Sequence, residues 1–163
     1  MLVDEITDIL DQFISFSDWR FAIGVRIRYN NPTLIFQTYP DRWLEYYDSE
    51  ALLLQDPTVI WGMTNNGLID WEDLKPTDTH DVFKQAKPYG LRYGIAISVG
   101  DPSQRTLGFV SSATAVFEEK QKAWALEQIV KLHELTDGIV EASEEELIPL
   151  RRINRDLGKL RTV

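Results

Sequence analysis

Apolar residues at the start of the chain recur at Leu2, Ile6, Ile9, Leu10 and Phe13, spacings that predict a helix with one buried stripe over residues 2–15. The period then changes. In "FAIGVRIRY" Phe21, Ile23, Val25, Ile27 and Tyr29 alternate with Ala22, Gly24, Arg26 and Arg28, so two faces separate and a strand is expected. "NNP" at 30–32 signals a turn, and "TLIFQTY" is the returning strand of a hairpin. Residues 41–87 offer short helical pieces broken by Pro57, Gly62, Gly67 and Pro76, with no convincing strand. Two more strands, "YGIAISV" and "TLGFVSSA", flank "GDPSQR", whose Gly, Asp and Pro suit a tight turn. A long helix is expected over about 117–142, its apolar stripe running through Leu126, Ile129, Val130 and Leu132.

The order is helix, hairpin, helical insert, hairpin, helix. Hairpins pair antiparallel, so the fold class is α+β, with room for one more strand. The faces of the strands are unequal. Tyr93, Ile95, Ile97 and Val99 point one way and Gly94, Ala96 and Ser98 the other; Ala22 and Gly24 repeat this smallness on the first strand. A buried face of such residues leaves volume that close packing requires something to fill. Either large side chains of the insert fill it, or a ligand does with the aromatic insert as its lid. Arg26, on the face of Ala22 and Gly24, would then either meet an oxygen on the ligand's chain, directly or through water, or snorkel to solvent.

A length of 163 residues suits one domain with its own core. There is no Cys, hence no thiolate chemistry. Four acids and no base among the first eleven residues are the wrong charge for a secretory leader, and no apolar run approaches a membrane span. A cytoplasmic protein with no membrane partner is the expectation. The net charge of −9 repels a phosphate backbone and argues against direct nucleic-acid binding. The final "LRRINRDLGKLRTV" is the basic exception.

Catalytic chemistry finds little support. His80 and His133 are far apart and lack Cys neighbours, so no metal site is expected. No phosphate-binding or nucleophile-elbow motif occurs, and Ser111 and Ser112 have no base at a motif spacing. Asp41 and Glu45 beside Arg42 have the pattern of a solvated helix face.

The most distinctive stretch is "TYPDRWLEYYDSEALLLQDPTV". It holds Tyr39, Trp43 and Tyr47 at four-residue spacing, then Asp56 with Pro57 behind it; Trp71 follows fifteen residues after the Asp. Phe83, Ala86, Gly90 and Gly94 follow at spacings of three, four and four. In these spacings residues 1–142 resemble the autoinducer-binding domain of the LuxR family of quorum-sensing transcription regulators. The resemblance implies a PAS/GAF-like α-β-α sandwich, a sheet of about five antiparallel strands between helical layers. It implies a non-catalytic receptor for an N-acyl homoserine lactone, with no cofactor. Trp43 would donate to the lactone carbonyl and Asp56 accept the amide N–H, matching a donor-only indole and an acceptor-only carboxylate. Tyr39 and Ser111 would meet the amide carbonyl. Tyr47, Trp71 and Phe83 would wall the ring and the start of the chain, joined by Val59, Ala86, Ala96 and Phe109, while Gly94 gives the backbone room. Asp56 and Pro57 also suit the N-cap and N1 positions of a helix.

Two departures stand out. Relatives commonly carry Pro four residues after the Gly, where this chain has Ser98. They also continue into a helix-turn-helix, whereas residues 143–163 here form a basic amphipathic tail with Leu150, Ile153, Leu157 and Leu160 on a narrow seam. Such a seam could dock on its own domain, on a copy in a homodimer, or on a full-length LuxR-type regulator. The last option gives the alternative expectation, a regulator acting through inactive heterodimers.

Overall fold

The first apolar stripe becomes α1, Leu2–Ile14, which buries Ile6, Ile9, Leu10 and Phe13 and sets Asp4 and Glu5 in its first turn. Acidic side chains there meet the positive end of the helix dipole. The computed structural model describes residues 1–162. Alternation yields β1, Trp19–Ile27, and β2, Leu34–Gln37. The fifth strand, β3, Gly67–Asp70, lies in the stretch where only helical pieces were expected, because four residues are too few to show a period. The second hairpin is β4, Tyr93–Val99, and β5, Arg105–Ser112. The sheet order is β2-β1-β5-β4-β3, with every neighbour antiparallel.

The alternation of β1 does not survive to its end. Its register against β5 shifts between Gly24 and Ile27, and Arg26 adopts a φ of 50°. A bulge of this kind reverses which face the following side chains take. Arg26 therefore lies neither beside Ala22 and Gly24 nor in solvent. It is buried on the opposite face, donating from Nη2 to the His133 carbonyl at 2.6 Å and from Nη1 to Gln104 Oε1 at 3.3 Å. Ile27 takes the place it was expected to fill, and Tyr29 is exposed.

The insert supplies the helices of one face: α2, Asp41–Ser49; α3, Pro57–Thr64; α4, Trp71–Leu74; and α5, Val82–Ala86. The other face is covered by α1, by α6, Glu119–Leu135, and by α7, Glu144–Asp156. The helix expected over 117–142 is shorter at both ends. The Thr136 hydroxyl folds back onto the Leu132 carbonyl at 2.9 Å, and Gly138 at φ 80° turns the chain. Its buried stripe is Ala125, Ile129 and Leu132, while Val130 is exposed.

The tail seam has an occupant, its own domain. Ser143 and Glu146 form a reciprocal cap for α7, and Leu147, Leu150, Ile153 and Leu157 join the core beneath it. The segment also covers the outer edge of β2. Asn154 Oδ1 accepts from the Gln37 N–H at 2.9 Å, and Arg161 Nη1 donates to the Gln37 carbonyl at 2.8 Å. The outward N–H and carbonyl of Gln37, which would otherwise invite another strand, are thereby satisfied. At Ser98 the strand runs on to Val99, and the hydroxyl donates to the Gly62 carbonyl of α3 at 2.9 Å.

Candidate functional site

Small side chains on one face of the sheet leave space beneath the short helices over part of it. A cavity of about 650 Å³ lies between β1, β2 and β5 on one side and α2, α3 and α5 on the other. On its sheet side are Ala22, Gly24, Leu107 and Phe109. Over β4 and β5 the same helical layer sits tight, since a Cβ on Gly62 would come within 2.9 Å of Leu107. Close contact on one flank and separation on the other give the cavity its shape.

Aromatic side chains gather at one end. Trp43 lies 5.7 Å from Tyr47 and 5.3 Å from Tyr89 between ring centroids, and Trp71 lies 5.3 Å from Phe83. Tyr39, Trp43, Tyr47, Asp56, Val59, Trp71, Phe83, Ala86 and Phe109 all line the cavity. Three of the expected residues do not. Gly94 lies behind the Trp71 ring, where a Cβ would come within 2.2 Å of the indole, so its bare backbone lets the ring lie flat on β4. Ala96 is buried in β4 opposite Phe109. Ser111 is buried opposite Gly94, its hydroxyl beside Tyr39.

Asp56 takes the helix-cap role its sequence context allowed and also lines the cavity. It is the N-cap of α3 with Pro57 following. Its Oδ1 accepts from the Thr58 N–H at 2.9 Å and the Thr58 hydroxyl at 2.7 Å, and Oδ2 accepts from the Tyr47 hydroxyl at 2.8 Å. A carboxylate has about four acceptor positions, so Oδ2 retains one. The side chain keeps accessible surface only because it faces the cavity; protein surrounds it, and that burial raises its pKa against the opposing hydrogen bonds from Thr58 and Tyr47. Burial, then the Asp56 charge, raises the pKa values of Tyr39 and Tyr47 as well, so both phenols stay protonated donors at neutral pH.

Not every polar atom at this end is satisfied. Tyr39 Oη, Ser111 Oγ and Trp71 Nε1 are buried without a hydrogen-bond partner. An unpartnered buried polar group costs about 1–3 kcal/mol; Tyr39 and Trp71 line the cavity, and Ser111 lies behind it beside Tyr39. Ser111 sits close enough to Tyr39 to oppose the rise in its pKa, but the two hydroxyls do not complete a hydrogen bond with each other. Among the described residues no group of three His, Asp or Glu is placed to hold a metal ion, and no helix is long and apolar enough to cross a membrane.

Residues that sequence reasoning missed lie away from the aromatic end. Ile27, Ile35, Leu53, Leu54, Ile60 and Met63 line much of the remainder of the cavity, with the polar Asn30, Gln37, Asp48 and Thr64 among them. "LLL" at 52–54 and "VIWGM" at 59–63 were visible apolar runs, but nothing in them separates a cavity wall from a core.

Comparison with known proteins gives a consistent result. The family model described as the autoinducer binding domain matches residues 3–137. Regulatory protein SdiA of Escherichia coli (strain K12) is 24% identical over 144 residues, covering 82% of this chain and 60% of that protein. Transcriptional activator protein SolR of Ralstonia nicotianae is 33% identical over 79 residues, covering 48% of this chain and 34% of that protein. A solved structure of SdiA in complex with octanoyl-rac-glycerol matches the fold with a TM-score of 0.60 at 19% identity, over 85% of this chain and 60% of that chain. The chain thus spans between 34% and 60% of the length of these relatives.

Proposed function

The chain belongs to the autoinducer-binding domain family of LuxR-type quorum-sensing regulators, and from that membership we propose that it is a non-catalytic receptor whose cavity takes an N-acyl homoserine lactone. The observation that carries this reading is the set of unpartnered polar atoms beside a carboxylate with one acceptor position left, at the aromatic end of a mainly apolar cavity. An acyl homoserine lactone has a ring carbonyl, an amide N–H and an amide carbonyl on an apolar chain. Asp56 Oδ2 accepts the amide N–H at its remaining position. The Tyr39 and Ser111 hydroxyls serve the amide carbonyl, and Trp43 donates its indole N–H to the ring carbonyl. Trp71 and Phe83 stack along the ring and bring the apolar surface that burial requires.

The carboxylate fits binding better than hydrolysis. Asp56 is tied to Thr58 and Tyr47 as a helix cap, so it is held in place as an acceptor. Titration calorimetry against a panel of N-acyl homoserine lactones, with mass spectrometry of the recovered ligand, tests the reading. One lactone should bind per chain and be recovered intact. No binding across the panel, or a ring-opened product, would overturn it.

A further inference from the structure

Resting on the receptor reading, we infer that the ligand is a long-chain lactone, with an acyl chain of about ten to twelve carbons ending in a plain, uncharged hydrocarbon. The inference comes from the far half of the cavity, which the polar contacts above do not use. Helix α3 runs from Asp56, its N-cap, to Met63 and Thr64 at its other end, and these residues all line the cavity. Eight residues of helix at about 1.5 Å rise each extend roughly 12 Å. A fully extended chain gains about 1.2 Å per bond, since three backbone bonds span roughly 3.3–3.6 Å. About ten bonds therefore separate an amide held at Asp56 from a methyl group at the level of Met63.

The floor agrees with that course. Its sheet rows run from Phe109 to Leu107 on β5, beside Ala22 and then Gly24 on β1. Beyond them the bulge turns Ile27 into the cavity. Apart from the acids Asp48 and Asp56, no charged side chain lines the cavity among the described residues. An anionic tail or a free fatty acid would meet only like charge.

The rim supplies an independent observation. Ile35, Leu53, Leu54 and Ile60 line the cavity and are still 41%, 46%, 75% and 51% exposed. Single exposed apolar residues are ordinary, but four around one opening form a contiguous apolar edge. An acyl chain that leaves Asp56, passes Ile60 one helical turn on and continues toward Met63 lies along this edge and covers it.

The test is a set of calorimetric affinities for N-butanoyl, N-hexanoyl, N-octanoyl, N-decanoyl, N-dodecanoyl and N-tetradecanoyl homoserine lactones, with dodecanoate as a control. Affinity should rise about fourfold per added methylene, level off at ten to twelve carbons, and be lost for dodecanoate. The Met63→Trp variant should lose tenfold or more for the dodecanoyl lactone and little for the hexanoyl one. Butanoyl or hexanoyl lactone binding as tightly as dodecanoyl lactone, with the receptor reading intact, would overturn the chain-length inference. Failure of every lactone to bind would overturn the receptor reading and the inference with it.

Discussion

The two faces of the sheet are built from the same five strands and do opposite things. On one, Phe21, Ile23, Val25, Ile95, Ile97 and Val110 are fully buried against α1, α6 and α7, in a continuous core that also takes in the C-terminal helix. On the other, the corresponding alternate positions are Ala22, Gly24, Gly94, Ala96 and Ser98, beneath helices of four to nine residues. Large branched side chains draw long helices into contact; of the small ones, Gly94 is covered by Trp71 and Ser98 is tied to α3, while Ala22 and Gly24 border space that the short helices bridge without filling. Stability is concentrated on the first face, and the proposed binding site lies on the second.

The comparison breaks most visibly if a large core side chain is removed. Phe21→Ala on the packed face should destabilise the protein by about 3–5 kcal/mol, the usual range for a buried Phe. The loss would be read from chemical denaturation, with lactone affinity little changed under conditions where the variant is folded. On the other face, Asp56→Ala should weaken lactone binding by roughly ten- to a hundredfold, the worth of a hydrogen bond to a charged group at about 1.5–3 kcal/mol. Unchanged affinity in a folded Asp56→Ala protein would remove the carboxylate from the site.

A pH titration sharpens the same contrast with a smaller effect. Burial raises the Asp56 pKa, so its folded value lies above its unfolded one. Between those two values the folded state binds more protons than the unfolded state, and the contribution of Asp56 to stability grows as pH falls. Lactone affinity should move the other way. Protonation replaces a charged acceptor by a neutral one, so affinity should fall roughly fivefold to tenfold as pH drops through the raised pKa. Asp56→Asn should flatten that profile in calorimetry at several pH values. The smallest effect belongs to the segment covering β2. Arg161→Ala removes hydrogen bonds to Gln37 and Asp41 on either side of Tyr39, and should cost about 0.5–1 kcal/mol of stability in a partly exposed setting.

Where the sequence was legible, a period or a fixed spacing carried the information. Alternation located both hairpins, and the spacing of Tyr39, Trp43, Tyr47 and Asp56 identified side chains that meet at one end of the cavity. β3 was hidden because four residues carry no period. Arg26 was assigned to the wrong face because a single residue at φ 50° inverts everything after it, and no local residue type announces that bulge. The tail seam was visible in Leu150, Ile153 and Leu157, but a seam does not name its partner. Ile60, Leu54 and Met63 went unnoticed because an apolar residue at a cavity rim and one in a core look alike until the fold is known.

The central claim is that the small-residue face leaves its volume for a ligand. Ala22 lies on the cavity floor between β2 and β5, opposite Gln37 and Phe109. The most direct test is calorimetric titration of N-dodecanoyl homoserine lactone into the Ala22→Leu protein, with its thermal midpoint measured alongside. Added methyl groups that fill the cavity should leave the ligand-free protein as stable as before or more so, and should abolish lactone binding. Full lactone affinity in a folded Ala22→Leu protein would contradict the account, since the ligand would then have to lie elsewhere.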